Sequence, residues 1–267
     1  MKKNIPALLL LAVALSSCGD YNKVLKSTDY QYKYEAAKGY YLDGKNTKAT
    51  TVLNDVITIL KGSDKAEESL YMLGMAYYNN KEWLDASTTF KKYAKTYPQG
   101  EFAELAAYTS LKALYNDTPE PRLDQTSTYQ AISDIQLFCE MYPRSVYKEE
   151  AQDMLFKLQD RLVEKELYSA KLYYNLGNYM GNNYQSCVIT AQNAMRDFPY
   201  TSRREELSML VLRAKYQMAV QSVPEKQTDR YRDAVDEYYA FKNEFPESNN
   251  MKEAEHIFEQ SSKRIKE

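Results

Sequence analysis

The stretch SLYMLGMAYYNNKEWLDASTTFKKYAKTYP, from Ser69 to Pro98, decides the fold. Two helical patterns flank a short polar turn at Asn79-Asn80-Lys81-Glu82. In the first, Leu70, Leu73, Gly74 and Tyr77 recur at helical spacing and share a face. In the second, Ala86, Phe90 and Tyr93 do the same, and Pro98 stops the helix. Gly74 and Ala86 are small where the two helices must cross, so the backbones can approach. Leu70, Tyr77 and Phe90 fill the space beside that crossing. One apolar face of the pair stays open, so the unit needs neighbours.

Working outward, the spacing matches the tetratricopeptide repeat, a helical hairpin of about 34 residues. Tyr93 is the one departure at the main positions, where a small residue is usual; Ala94 supplies one a place later. Ala37, Tyr40, Ala49, Leu53 and Val56 occupy an earlier frame of the same kind, with its turn at Asp43-Gly44-Lys45-Asn46 and its end at Lys61-Gly62-Ser63. Asp64 and Glu67 are spaced as a capping box for the helix that follows. Four prolines follow an aromatic residue, at Tyr97-Pro98, Tyr142-Pro143, Phe198-Pro199 and Phe245-Pro246, and each reads as the end of a hairpin. Ser145, Ser202 and Ser248 then serve as expected N-caps, with Ser202 and Glu205 as a second capping box.

A third unit runs from Glu101 to Pro143 and carries an insertion, NDTPEPRLDQTS, over Asn116–Ser127. A fourth contains Val146–Met180, free of Pro and with Gly only at Gly177, which predicts one long helix or a kinked pair. A fifth pair carries Leu207, Leu210, Ala214 and Tyr216, then Ala234, Tyr238 and Phe241. The charged segment Met251–Glu267 predicts a capping helix. The expected architecture is all-α: an α-solenoid of about five tetratricopeptide-like hairpins with a C-terminal capping helix. Units one to three span residues 31–143, and units four and five with the cap span 144–267.

Composition agrees. Among 267 residues there are only 8 Gly but 26 Tyr, and Tyr suits half-buried seams between helices. The formal net charge is −2, which argues against a nucleic-acid partner and its basic stripe. The N-terminus reads as a leader over residues 1–17, with Met1-Lys2-Lys3 basic and Ile5 to Leu15 apolar but too short to span a bilayer. It ends in Leu15-Ser16-Ser17-Cys18, which resembles a bacterial lipoprotein box. Cys18 is therefore the expected lipidation site, and residues 18–30 read as a polar tether without helical period. A covalent lipid on Cys18 is the only prosthetic group expected, and no metal is expected. The segment after Cys18 lacks the acidic run that resembles a surface-export signal in the Bacteroidetes, so an anchor facing the periplasm is the expectation.

Catalysis has little to stand on. The single His, His256, lies in the terminal helix, so a His-based triad or zinc site is not credible. Cys139 and Cys187 fall within apolar helical patterns, as free thiols or as a disulfide. The chain is not expected to be an enzyme.

In tetratricopeptide arrays the first helices of successive units line a groove. Tyr34, Lys38 and Tyr41 in unit one, and Tyr71, Met75 and Tyr78 in unit two, fall on that side. Such a groove suits an extended, aromatic-ended strand; the alternative is that these tyrosines simply pack between repeats.

A closer resemblance rests on several stretches together. These are Tyr142-Pro143-Arg144-Ser145, the run Leu158-Gln159-Asp160-Arg161-Leu162-Val163-Glu164-Lys165-Glu166, Ala170-Lys171-Leu172-Tyr173-Tyr174, and Met195-Arg196-Asp197-Phe198-Pro199. With the leader, Cys18 and five units, the chain resembles the BamD family of lipoproteins in the outer-membrane β-barrel assembly machinery. The loop Pro119–Thr126 is similar to that of its Bacteroidetes members. The resemblance implies a periplasmic scaffold that holds the periplasmic domains of a BamA-like barrel protein, mainly through its C-terminal half. It further implies contact with unfolded β-barrel substrates through the N-terminal half. Arg161, Lys165, Glu166 and Arg196 are the partner-facing candidates it points to. Tyr34 and Tyr71 stand where chaperone-tail-binding arrays carry the basic residue of a carboxylate clamp, so that clamp is not expected. The alternative is an envelope tetratricopeptide lipoprotein that serves cell-wall synthesis or division.

Overall fold

A computed structural model describes residues 20–266. The leader and Cys18 lie outside the described residues. Every regular element among those described is a helix. They are α1 (20–26), α2 (Tyr30–Leu42), α3 (Asn46–Val56), α4 (Ala66–Asn79), α5 (Trp83–Thr96) and α6 (Ala103–Asp117). Then come α7 (Thr126–Met141), α8 (Lys148–Leu176), α9 (Asn183–Asp197), α10 (Arg204–Val220), α11 (Pro224–Glu244) and α12 (Met251–Lys266). The pairs α2/α3, α4/α5, α6/α7, α8/α9 and α10/α11 are the five expected hairpins, and α12 is the cap.

The crossing in the second hairpin is as tight as its sequence requires. A Cβ on Gly74 would stand 2.7 Å from the Phe90 ring, so only glycine admits the ring there. Ala86, Phe90 and Tyr93 are buried around it. The turns of the first two hairpins share one geometry. Gly44 (φ 71°) and Lys81 (φ 62°) both adopt the left-handed conformation. Their N–H groups donate to the carbonyls of Tyr41 and Tyr78, each at 3.0 Å. This is the helix-ending turn that glycine favours, and Lys81 adopts it at a steric cost.

The aromatic–proline dipeptides do set the register. Tyr97, Phe198 and Phe245 cap their helices with φ between −125° and −130°. Two places after each proline, the N–H donates back to the aromatic carbonyl: Gly100 to Tyr97 (2.9 Å), Ser145 to Tyr142 (3.1 Å), Thr201 to Phe198 (3.2 Å) and Ser248 to Phe245 (3.1 Å). The hydroxyls at this position close a local turn and latch; because α8 and α12 start at Lys148 and Met251, Ser145 and Ser248 lie two residues before the N-cap positions expected of them. Ser145 Oγ accepts from the Tyr147 N–H (3.0 Å) and donates to Glu104 (2.6 Å). Ser248 Oγ accepts from the Asn250 N–H (3.0 Å) and donates to Glu205 (2.6 Å). After Pro199 the equivalent hydroxyl is that of Thr201, which accepts from the Arg203 N–H and donates to Asp160 (2.6 Å).

Three expectations are corrected here. Ser202 does not cap α10: its hydroxyl donates to Asp160 at 2.5 Å. Glu205 closes no capping box, being held by Ser248. Asp64 and Glu67 form none either, because α4 starts one residue later than that box needs and Lys65 is its N-cap. Glu67 instead accepts from the buried Tyr93 hydroxyl at 2.5 Å. The tether is also more ordered than expected: residues 20–26 are helical. Tyr21, Val24 and Leu25 make an i, i+3, i+4 stripe, with Val24 buried, that packs on the first hairpin.

The chain forms two compact units. Unit 1 comprises residues up to Thr118 with 133–152; unit 2 comprises 119–132 with 153–267. The core of unit 1 is built from Leu53, Val56, Leu73 and Ala76 and, one hairpin on, Leu70, Phe90, Tyr93 and Ala106. That of unit 2 gathers Val163, Leu167, Cys187, Val188, Leu207 and Val211, then Met209, Leu212, Tyr238 and Phe241. The helix expected across 146–180 is continuous over 29 residues in α8 and ends at Gly177, which is left-handed (φ 57°). Cys139 and Cys187 are free thiols. Burial pushes the Cys187 thiol up to about 12. His256 is exposed. No described helix is long and apolar enough to cross a membrane.

Candidate polypeptide-binding surfaces

The tyrosines of the first helices divide into two kinds. Tyr34 is 3% exposed, and its hydroxyl donates to Glu68. Lys38 reaches the same carboxylate at 2.7 Å. Hydrogen bonds from Lys38 and Tyr34 hold the Glu68 carboxyl below its ordinary range, and burial and Glu68 push the Tyr34 phenol up. Tyr34 and Lys38 thus fasten α2 to α4. As a groove residue Tyr34 is corrected: its ring and its hydroxyl are both engaged within the fold.

Tyr41, Tyr71, Met75 and Tyr78 are half-buried instead. Tyr71 stacks on Phe102 with ring centroids 4.7 Å apart and meets Phe90 and Tyr93 edge-on. Tyr78 lies edge-on to Trp83 at 5.2 Å. Burial raises the Tyr71 phenol first, and the phenols of Tyr41 and Tyr147 push it the same way. The Tyr108 phenol is raised by burial, then by its bond to Glu150, with a smaller push from Tyr78 and Tyr147. Tyr108 and Tyr147 stack at 4.4 Å, with their planes 7° apart. Unit 1 thus carries Tyr41, Tyr71, Tyr78 and Tyr147 half-buried, while Tyr108 is buried with its hydroxyl on Glu150. Sequence reading missed Tyr147 because it precedes α8 and belongs to no helical period. It passed over Tyr108 because that residue reads as core. Half-buried phenols offer apolar faces with polar rims, a surface suited to polypeptide rather than to bond-making chemistry.

The charged residues of α8 in unit 2 are largely engaged within the chain. An Arg161 guanidinium N–H donates to the Pro119 carbonyl (3.4 Å), and Lys165 Nζ donates to that of Leu123 (3.3 Å). Arg122 lies 4.6 Å over the Tyr168 ring. These contacts hold the insertion 118–125 on α8. The buried Gln125 side chain stitches it from within, donating to the carbonyls of Glu120 (2.7 Å) and Leu123 (3.2 Å). Glu164 accepts from the Tyr168 hydroxyl (2.9 Å) and pairs with Arg203 (3.7 Å). Glu166 is half-buried and has no hydrogen-bond or ion-pair partner among the described residues. Arg196 is exposed and, among the described residues, pairs only with its neighbour Asp197, at 3.0 Å. The turn after α9 is braced by Arg204, which donates to the carbonyls of Met195 and Pro199.

A family model described as YfiO, outer membrane lipoprotein, matches residues 27–230. The outer membrane protein assembly factor BamD of Neisseria meningitidis serogroup B is 23% identical over 273 residues, covering 94% of each chain. A putative BamD of Aquifex aeolicus is 23% identical, covering 88% of this chain and 74% of that protein. The BamD of Caulobacter vibrioides is 21% identical, covering 64% of this chain and 57% of its own. A solved chain of tetratricopeptide-like repeats from Podosopora anserina aligns with a TM-score of 0.36 at 11% identity, covering 82% of this chain and 96% of that one.

Proposed function

The chain belongs to the YfiO family of outer membrane lipoproteins, and from that premise we propose that it is a BamD-like scaffold of outer-membrane protein assembly. In this reading Cys18 carries the lipid that ties the chain to the outer membrane, with the hairpins facing the periplasm. Attachment through more than one acyl chain would make it stable. The scaffold holds the periplasmic domains of a BamA-like barrel protein and receives unfolded β-barrel chains. The single observation that supports substrate contact is the set of half-buried side chains in unit 1, Tyr41, Tyr71, Met75, Tyr78 and Tyr147. Arg196 and Glu166 are the partner-facing candidates still open for contact, one exposed beside Asp197 and the other unpaired. Arg161 and Lys165 act one step back, by fixing the insertion loop.

The relatives described above are named for outer membrane protein assembly, which favours this reading over a role in cell-wall synthesis or division. Depletion tests it. Loss of the chain should lower many outer-membrane barrels together; an unchanged barrel proteome with disturbed cell wall or septation would reject it.

A further inference from the structure

The helix α1 leaves little slack between Cys18 and the first hairpin. Cys18 stands two residues before Asp20, where α1 begins. Even a fully extended backbone carries it no more than about 7 Å from the helix start. The Tyr21 ring meets Tyr40, in the last turn of α2, edge-on at 5.7 Å. The Lys48 ammonium, in the first turn of α3, lies over both rings, at 5.1 and 5.7 Å. These contacts fix the start of α1 at the α2/α3 turn. Buried Val24 and half-buried Leu25 seat the rest of the helix against the core of the first hairpin. An anchor on Cys18 is therefore tied to one end of that hairpin.

The side chains at that end suit the boundary between headgroups and acyl chains. Leu42, two residues beyond Tyr40, is 73% exposed. Lys45 beside it is exposed as well. The carboxylates there are each paired with a lysine, Asp43 with Lys45 at 2.7 Å and Asp20 with Lys23 at 3.3 Å. An exposed apolar side chain among compensated charges, with Lys48 as a further cation, is compatible with an anionic lipid surface. On the reading that Cys18 carries a lipid, we infer that α1 is a clamp rather than a tether. It lays the α2/α3 turn, with Leu42 and Lys45, on the phospholipid surface that holds the anchor, and so sets which end of the first hairpin faces the bilayer.

The test uses the full lipidated chain, purified in detergent and reconstituted into vesicles of phosphatidylethanolamine and phosphatidylglycerol with brominated acyl chains. Trp83 is the only tryptophan, so Trp83→Phe clears the background. Two reporters are placed in it at exposed sites, Leu42→Trp at the turn and Ile59→Trp beyond the opposite end of α3. Brominated lipid should quench Leu42→Trp at least twofold more than Ile59→Trp. A Gly-Ser linker of about ten residues inserted after Gly19 spans roughly 17 Å and leaves α1 seated. It should abolish the difference, and so should Tyr21→Ala with Val24→Asp, which unseats α1. Both variants should still float with the vesicles. Equal quenching at the two sites, or a difference that survives the linker, would overturn the clamp; if mass spectrometry finds Cys18 acylated, the lipoprotein reading stands without it. An unmodified Cys18 would remove that reading and the clamp together.

Discussion

Ser145 Oγ donates to Glu104 Oε1 at 2.6 Å, joining the turn after Pro143 to the start of the helix one unit earlier. The same latch recurs as Thr201 on Asp160 and Ser248 on Glu205. At the junction after Pro98 the position belongs to Gly100, where a Cβ would stand 2.2 Å from a Glu67 oxygen; Tyr93 supplies the hydroxyl instead. Three of the junctions thus give a helix-start carboxylate one buried or half-buried O–H, while the Thr201 junction uses Asp160, in the middle of α8. Ser248→Ala should cost about 1–2 kcal/mol, because Glu205 loses a charge-assisted bond and the Asn250 N–H loses its acceptor. Ser202→Ala, whose hydroxyl also reaches Asp160, should cost less, since Thr201 keeps that carboxylate bonded. Urea denaturation of the two variants checks the order.

Gly74 meets Phe90 so closely that a methyl group overpacks the crossing. Gly74→Ala should destabilise by about 1–3 kcal/mol despite the gain in helix propensity. The same change should cost less in a Phe90→Leu background. A double-mutant cycle with equal costs in both backgrounds would break the argument.

Lys81 adopts the left-handed turn that Gly44 adopts in the hairpin before it. Lys81→Gly should therefore stabilise by about 1 kcal/mol, and Gly44→Ala should destabilise by a similar amount. Paired melting curves read both signs.

Glu68 and Glu253 titrate below the ordinary carboxylate range, Glu68 through bonds from Lys38 and Tyr34, and Glu253 through Arg213. A carboxyl whose folded pKa is depressed adds stability that is complete above its unfolded value, about 4.3. That stability fades as pH falls through the lower folded value. Melting temperature should therefore drop steeply below about pH 4.3, and less steeply in Glu253→Gln. Parallel curves for wild type and variant between pH 7 and 3 would contradict the assignment.

Tyr71 supports the fold as much as it presents a surface, packed as it is by Phe90, Tyr93 and Phe102. Tyr71→Ala should lose about 2–3 kcal/mol of stability. Tyr41→Ala with Tyr78→Ala should weaken capture of urea-denatured barrel protein with a smaller loss of stability. If that pair unfolds the chain before binding changes, the aromatic face is packing alone.

Much of the fold is legible because it rests on local, size-coded signals. Gly74 and Ala86 announce the helix crossing, and each aromatic–proline pair announces a helix end. The latches are not legible in that way. Glu104 and Ser145 lie 41 residues apart, and Glu205 and Ser248 lie 43 apart. Nothing local tells a carboxylate at a helix start whether it will cap its own helix or bind the next turn, which is why Glu67 and Glu205 read as capping boxes. The site is less legible for the same reason. Tyr34 and Tyr41 share a helix face, yet the partner that buries Tyr34 is Glu68, in the following hairpin. Arg161 and Lys165 read as a charged surface because their acceptors are backbone carbonyls of an insertion with no periodic pattern.

The most direct test of a scaffold role in barrel assembly is co-purification of the chain, tagged at its C-terminus, from solubilised outer membrane. A BamA-like barrel protein should be recovered in stoichiometric amount, and recovery should fall with Arg196→Glu. Recovery of cell-wall enzymes without any barrel-assembly protein would contradict the account.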